Sequence, residues 1–267
     1  MSGATFLYID YGSSPYIGRE LRYSLATLLA EAPAARVVVY TDKPDDYAGP
    51  SSLVRVRELG ADLAGWTRTG AGGEVYSHRV KPSALLDALK THGGLCVLID
   101  TDSYIRPGFA AALELATREG PAMDRFERRD PYPDIAGWSA DLSSGRYVYE
   151  PQSALMYNSG LIAARAGRDE PALVDALALI DALWRDGRRV FNIEQIAISE
   201  AFRVRGAPIG ELHPHFQHYC RRSLKRYMHW RIDAWARRGF APTRPCIAHP
   251  RNAVRVFSLV NRLLKRY

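Results

Sequence analysis

The 267-residue chain has only three cysteines, Cys96, Cys220 and Cys246, far apart and without the paired spacing of a metal or redox site. A disulfide framework is excluded, and a reducing compartment is expected. No apolar run approaches the roughly 18 residues that a membrane helix needs. The start, Met1-Ser2-Gly3-Ala4-Thr5, has no basic segment followed by an apolar stretch, so no secretory signal is expected and the location is expected to be cytoplasmic. Residues 67–74 are glycine-rich but form neither a G-x-G-x-x-G turn nor a loop ending in Gly-Lys-Ser/Thr, so their glycines receive no nucleotide role and read as a flexible loop. No internal repeat or low-complexity tract is present.

Negative charge is scarce late in the chain. Residues 201–267 carry 15 Lys/Arg against 2 Asp/Glu, whereas residues 1–200 carry 21 against 27. Such a basic tail suits nucleic acid, an anionic membrane, an anionic substrate or simply a solvated helical surface. The bulk composition, 47% hydrophobic and 24% charged, is that of a globular protein.

What is there begins as a βαβ pattern. Thr5 to Ile9 reads as a strand ending at Asp10-Tyr11-Gly12, with Ser14 and Pro15 suited to open a helix. Ile17, Leu21, Ser24, Leu25, Leu28 and Leu29 share one helical face, and Pro33 ends it. Val37 to Tyr40 and the weaker Leu53 to Val56 follow as strands, an order that implies parallel strands with right-handed crossovers. Pro82 stands near the start of a helix that carries Leu85, Leu86 and Leu89.

Leu95-Cys96-Val97-Leu98-Ile99 then runs into Asp100-Thr101-Asp102. An unbroken apolar run rich in branched side chains reads as a strand buried on both faces. The two aspartates fall at its carboxyl end, where open α/β sheets bind ligands. Two carboxylates so close need a cation to offset their repulsion, and a divalent ion carried by a nucleoside diphosphate would serve. The alternative is a turn whose aspartates cap a helix starting near Pro107.

Residues 128–152 are irregular. Tyr132, Trp138, Tyr147 and Tyr149 there either stack on sugars or form a private core for the loop. Ala154 to Tyr157 and Leu161 to Ala164 read as one continued apolar run around Asn158-Ser159-Gly160. Helices are expected over about 170–184, from Asn192 onward, over 219–238 and over 253–266.

Asp100-Thr101-Asp102, Tyr157-Asn158-Ser159-Gly160 and Glu194-Gln195, in that order, resemble the nucleotide-sugar glycosyltransferases of the GT-A fold. Asn158-Ser159-Gly160-Leu161-Ile162 is similar to their "N-[SA]-G-[VL]" segment. Glu194-Gln195 is similar to the "D-Q" pair of the retaining galactosyltransferase and glycogenin-like branch, with glutamate where that pattern has aspartate. Tyr8-Ile9-Asp10-Tyr11, Ser24-Leu25 and Tyr40-Thr41-Asp42 resemble the same family's opening unit. The likeness covers roughly residues 5–200. It implies a GT-A, Rossmann-like α/β fold with a mainly parallel sheet over residues 1–210 and a basic helical extension over 211–267.

The implied activity is transfer of a sugar from a nucleoside-diphosphate donor, UDP-sugar favoured, to a glycan, lipid-linked or small-molecule acceptor, in bacterial glycan or glycoconjugate biosynthesis. The implied cofactor is Mn²⁺ or Mg²⁺, held by Asp102, by Asp100 and by a late histidine. The branch places that histidine in a histidine–glycine–lysine pattern, for which His249 in Cys246-Ile247-Ala248-His249-Pro250-Arg251 is the nearest match; His213 or His215 is the substitute. Asp102 is the direct ligand, and Asp100 binds either the ion or the donor's ribose and sugar hydroxyls. Arg79 and Lys81 bind the diphosphate or sugar hydroxyls, or are a solvated pair. Asp10 and Tyr11 meet the base, or Asp10 is a turn residue. Asn158, Ser159 and Gly160 line the sugar pocket. Glu194 and Gln195 are the catalytic pair, as general base in an inverting reaction or as a group steadying a cationic sugar in a retaining one, the resemblance leaning to retaining. The plain alternative for Glu194 is first-turn helix charge.

Two other functions compete. A nucleotidyltransferase of related fold would need a basic glycine-rich loop after the first strand, and residues 10–16 contain no Lys or Arg. A binding module would use the basic tail on nucleic acid or membrane, nucleic acid being disfavoured. Phe257, Val260 and Leu264 opposed by Arg255, Arg262, Lys265 and Arg266 suit a helix lying on the inner membrane surface or packed on the core.

Overall fold

The computed structural model describes residues 3–12, 14, 16–47, 54–70, 73–190 and 192–237. His249 and the helix expected over 253–266 lie outside the described residues.

The chain opens as three parallel strands, β1 (Thr5–Asp10), β2 (Arg36–Thr41) and the exposed edge strand β3 (Val54–Glu58), with α1 (Ile17–Glu31) as the first crossover. Ser14 does not cap α1. The cap position is Tyr16, which makes no side-chain cap bond. After α2 (Asp62–Trp66), the segment expected to be a flexible loop closes a two-residue hairpin, β4 (Arg68–Thr69) against β5 (Val75–Tyr76). α3 (Val80–His92) returns the chain to β6 (Leu95–Ile99), parallel to β1.

The second half is less regular. β7 (Ser103–Ile105) precedes α4 (Phe109–Ala116), and β8 (Ala122–Met123) precedes β9 (Phe126–Arg129). β10 (Ser139–Leu142) and β11 (Gly145–Val148) form a hairpin. β12 (Leu155–Tyr157) pairs with β9, whereas β13 (Leu161–Arg165) runs antiparallel between β6 and β8. The apolar run expected as one piece is thus two strands in different sheets, broken at Asn158–Gly160. α5 (Glu170–Arg185) and α6 (Ile193–Val204) follow, then β14 (Gly210–Glu211) beside β8, β15 (Phe216–His218) against β7, and α7 (Arg222–Ala236).

The main sheet has seven strands in the order β14-β8-β13-β6-β1-β2-β3, mostly parallel, with β13 reversed. This is an α/β arrangement, a mostly parallel mixed sheet flanked by helices and compatible with a Rossmann-like fold. Alternation along the strands explains its two cores. Leu7, Val38, Cys96 and Leu98 pack on one face with residues of α3, α5 and α6; Phe6, Tyr8, Val39, Val97 and Ile99 pack on the other with α1 and α4. Every residue from Cys96 to Ile99 is at most 1% exposed, as a strand covered on both faces requires. Tyr132, Tyr147 and Tyr149 are buried in the first core, with Trp138 packed against it, so these aromatics form a core instead of a sugar platform. A third cluster joins α7 to α1 through Tyr23, Tyr104, Tyr219, Tyr227, Met228 and Ile232. Among the described residues, no helix is long and apolar enough to cross a membrane.

Candidate active site at the carboxyl edge of the sheet

Parallel pairing brings the ends of β1, β2 and β6 to one edge, and the reversal of β13 brings its beginning to the same edge. Leu161 stands opposite Ile99, and the Asp100 backbone N–H continues the ladder to the Gly160 carbonyl at 2.8 Å. Asn158-Ser159-Gly160 and Asp100 therefore meet although 58 residues separate Asn158 from Asp100. Asp100 and Asp102 do not cap α4. That helix begins after Gly108, which adopts the left-handed region at φ 83°, where a side chain would be strained and would press on the His215 ring at 3.0 Å.

The chain after Asp102 enters β7, whose partner β15 sets His218 opposite Ser103, and the Tyr219 N–H donates to the Asp102 carbonyl at 2.9 Å. His218 Nε2 thereby lies 3.1 Å from Asp102 Oδ1 and 3.7 Å from Asp100 Oδ2. Asp100, Asp102 and His218 each offer one ligand atom, all within 4.8 Å of one another. Separations of that size suit one ion about 2.1–2.4 Å from each atom. Two carboxylates and an imidazole form a reasonable donor set for a divalent transition ion, Mn²⁺ ahead of Mg²⁺ because of the nitrogen. Among the described residues this group contains His218 and not His213 or His215, the substitutes named from the sequence for His249. His215 Nδ1 is 2.7 Å from the Pro107 carbonyl.

Two ammonium groups balance the aspartates. Lys81 Nζ is 2.7 Å from Asp100 Oδ2, and Lys225 Nζ, on α7, is 2.9 Å from Asp102 Oδ2. Burial disfavours the charged form of both lysines, but neighbouring carboxylates outweigh it and hold both above the ordinary lysine value: Asp100, Glu194 and Asp102 for Lys81, and Asp102, Glu20 and Asp100 for Lys225. Burial likewise opposes the charge on His218, yet its contacts with Asp102 and Cys220 and the charges of Asp100 and Asp102 push it up to about 10. Asp102 is held well below the usual carboxylate range: His218 and Lys225 overcome its burial.

Beside this cluster lies Glu194, at the start of α6 and 3% exposed. Its Oε2 accepts from Tyr76 Oη at 2.6 Å and its Oε1 from Ser159 Oγ at 3.1 Å, while its own N–H donates back to Tyr76 Oη at 2.8 Å. Burial raises its pKa, but the charges of Lys81 and His78 and the Tyr76 bond bring it below the usual value. His78 Nδ1 is 4.0 Å away. Gln195 Oε1 accepts from the Ser159 N–H at 3.2 Å. Lys81 Nζ, 3.4 Å from Ser159 Oγ, joins the two halves.

The remaining expected residues divide. Asn158 Oδ1 faces His218 Nδ1 at 2.9 Å. Gly160 must be glycine, since a Cβ there would stand 2.4 Å from the His218 ring. Asp10 and Tyr11 end β1 at the same edge. Asp10 accepts from Tyr47 Oη and has Lys43 Nζ at 3.8 Å, while Tyr11 Oη donates to the Ser77 carbonyl at 3.1 Å. Arg79 is committed elsewhere: Nε and Nη2 grip Asp181 on α5 at 2.7 and 3.0 Å, and Nη1 reaches the Gly65 carbonyl. It is scaffolding between α3 and α5.

Three residues at this edge went unread in the sequence. Lys225 lay within a helix expected only to be basic. Glu127 lay in a charged run. Asp124 follows β8, is fully buried, and neither of its carboxylate oxygens has a hydrogen-bond partner among the described residues. Burial pushes it up to about 6, against the opposing charges of Arg125 and His218. No family model matches the chain, and no curated protein shows significant similarity to it.

Proposed function

We propose that the chain is a glycosyltransferase of GT-A type that uses nucleoside-diphosphate sugars. The observation that carries this reading is the convergence of Asp100, Asp102 and His218 with Lys81 and Lys225 at the carboxyl edge of a mostly parallel α/β sheet. Asp100, Asp102 and His218 would hold Mn²⁺, which when bound supplies Lewis-acid stabilisation of the diphosphate leaving group. The two ammonium groups compete with an ion for the aspartates and are drawn to phosphate oxygens as these arrive, so both suit the diphosphate. Asp10 and Tyr11 lie where the nucleoside would extend along the same edge.

Glu194 supports the retaining alternative. A general base works best with a pKa near the working pH. Glu194 is held below the ordinary value and has both oxygens engaged, which suits a fixed negative charge facing a cationic sugar better than proton removal. The acceptor is a glycan, a lipid-linked sugar or a small molecule.

The test is a thermal-shift screen of nucleoside diphosphates and their sugars, each with and without Mn²⁺, followed by assay of donor hydrolysis. A ligand that binds only the folded state raises Tm by mass action. Stabilisation by a diphosphate that depends on Mn²⁺ is expected. No shift with any donor, together with salt-steep binding to polyanions, would favour a binding module instead.

A further inference from the structure

We infer that Glu127 is a positioning residue that ties the His218 arm of the site to the Gln195 arm. The inference rests on the reading of His218 as an ion ligand. Glu127 is exposed on β9 among Arg125, Arg128 and Arg129, yet among the described residues its carboxylate makes no ion pair. It accepts instead from two amides, Asn158 Nδ2 at 2.7 Å and Gln195 Nε2 at 2.8 Å.

The opposite ends of both amides face donors that cannot change role. Asn158 Oδ1 accepts from the Gly160 backbone N–H at 2.9 Å, and Gln195 Oε1 from the Ser159 backbone N–H at 3.2 Å. A backbone N–H only donates, so the two oxygens are fixed in place and both NH₂ groups must find acceptors. One carboxylate with two oxygens satisfies both.

The consequence reaches His218. Asn158 Oδ1 is 2.9 Å from His218 Nδ1 and accepts there, so Nδ1 carries a proton. Nε2 is then the ring atom directed at Asp102 and Asp100. Ligating histidines are oriented in this way by the partner of their other nitrogen. Here the partner is an amide, itself held by Glu127, and the same carboxylate holds the residue next to Glu194.

The test uses the full chain with Glu127→Ala and the near-isosteric Glu127→Gln, which keeps one of the two oxygens the amides use and sets an NH₂ donor against the other amide. Two readouts are needed, because deleting any nearby negative charge weakens cation binding. The first is the Mn²⁺ dissociation constant, by electron paramagnetic resonance. It should rise about 10- to 100-fold in Glu127→Ala, the usual effect of losing an outer partner of a ligand. The second is solvent exchange of the His218 Nδ1–H in ion-free protein, by ¹⁵N-histidine NMR. It should quicken roughly tenfold in both variants, as loss of about one hydrogen bond implies. Unchanged exchange in both variants overturns the inference, even if Mn²⁺ binding weakens. His218→Ala separates the two readings. If it binds Mn²⁺ as the wild type does while Glu127→Gln still quickens exchange, the ion reading falls and the positioning role stands.

Discussion

Asp181 and the Asp100–Asp102 pair are both carboxylate sites at the margin of the core, and the chain treats them differently. Asp181 sits between two guanidinium groups, Arg79 Nε at 2.7 Å and Arg68 Nε at 2.8 Å. These forks match a carboxylate, never lose their proton, and overcome its burial to hold Asp181 below the usual range. One anion between two cations leaves nothing to exchange, and the cluster fastens α3 and the β4–β5 hairpin to α5. Asp100 and Asp102 face two ammonium groups and an imidazole. An ammonium group is a point charge on a flexible stem, and an imidazole ligates metal through a ring nitrogen. The comparison separates a carboxylate that holds the fold from a pair that can change partners.

Asp102→Asn should have the largest effect. It should lower Mn²⁺-dependent turnover of the donor by about 10³-fold, since a Lewis acid contributes several kcal/mol, while Arg79→Met should leave turnover within about threefold. Equal losses in a steady-state assay would erase the distinction. Arg79→Met should instead cost about 2–3 kcal/mol in urea unfolding, less than a fully buried pair because Asp181 is a third exposed.

Asp124 adds a third kind of carboxylate, buried with no donor among the described residues. Its pKa is raised, so the folded state penalises the charged form. The penalty is complete above pH about 6 and gone below the ordinary value of 3.8. Asp124→Asn in ion-free protein should therefore stabilise by about 2 kcal/mol at pH 8 and by nothing near pH 3.5. A gain that grows toward low pH has the wrong sign and would refute the assignment. The smallest effect belongs to Tyr76→Phe, about 1 kcal/mol in the same unfolding assay, for the hydroxyl it removes from Glu194.

The parts of the site that were legible in the sequence are those whose chemistry is contiguous. Leu95 to Asp102 announces itself, because a run buried on both faces must end at a sheet edge and the aspartates follow at once. Asn158-Ser159-Gly160 was legible as a segment, but not the reversal of β13 that aims it at Asp100. Arg79 and Lys81 looked alike, being two residues apart in one sequence run. At the start of a helix, residues i and i+2 do not face the same side. One accordingly turns to Asp181 and the other to Asp100. His218 lies 116 residues from Asp102, and three histidines within six positions carry no mark of which one pairs. The usable signal was alternation: Phe216 and His218 share a face, and Phe216 is fully buried. Glu127 was hidden by its arginine neighbours, which make any such run read as a solvated surface.

Calorimetric titration of UDP into the full chain, with and without Mn²⁺, probes the exchange of partners at Asp100 and Asp102 itself. UDP should bind at least tenfold more tightly with Mn²⁺, and Asp102→Asn should abolish that gain while Arg79→Met preserves it. UDP affinity that ignores Mn²⁺, or a gain that survives in Asp102→Asn, would contradict the assignment of these aspartates to an ion and a diphosphate.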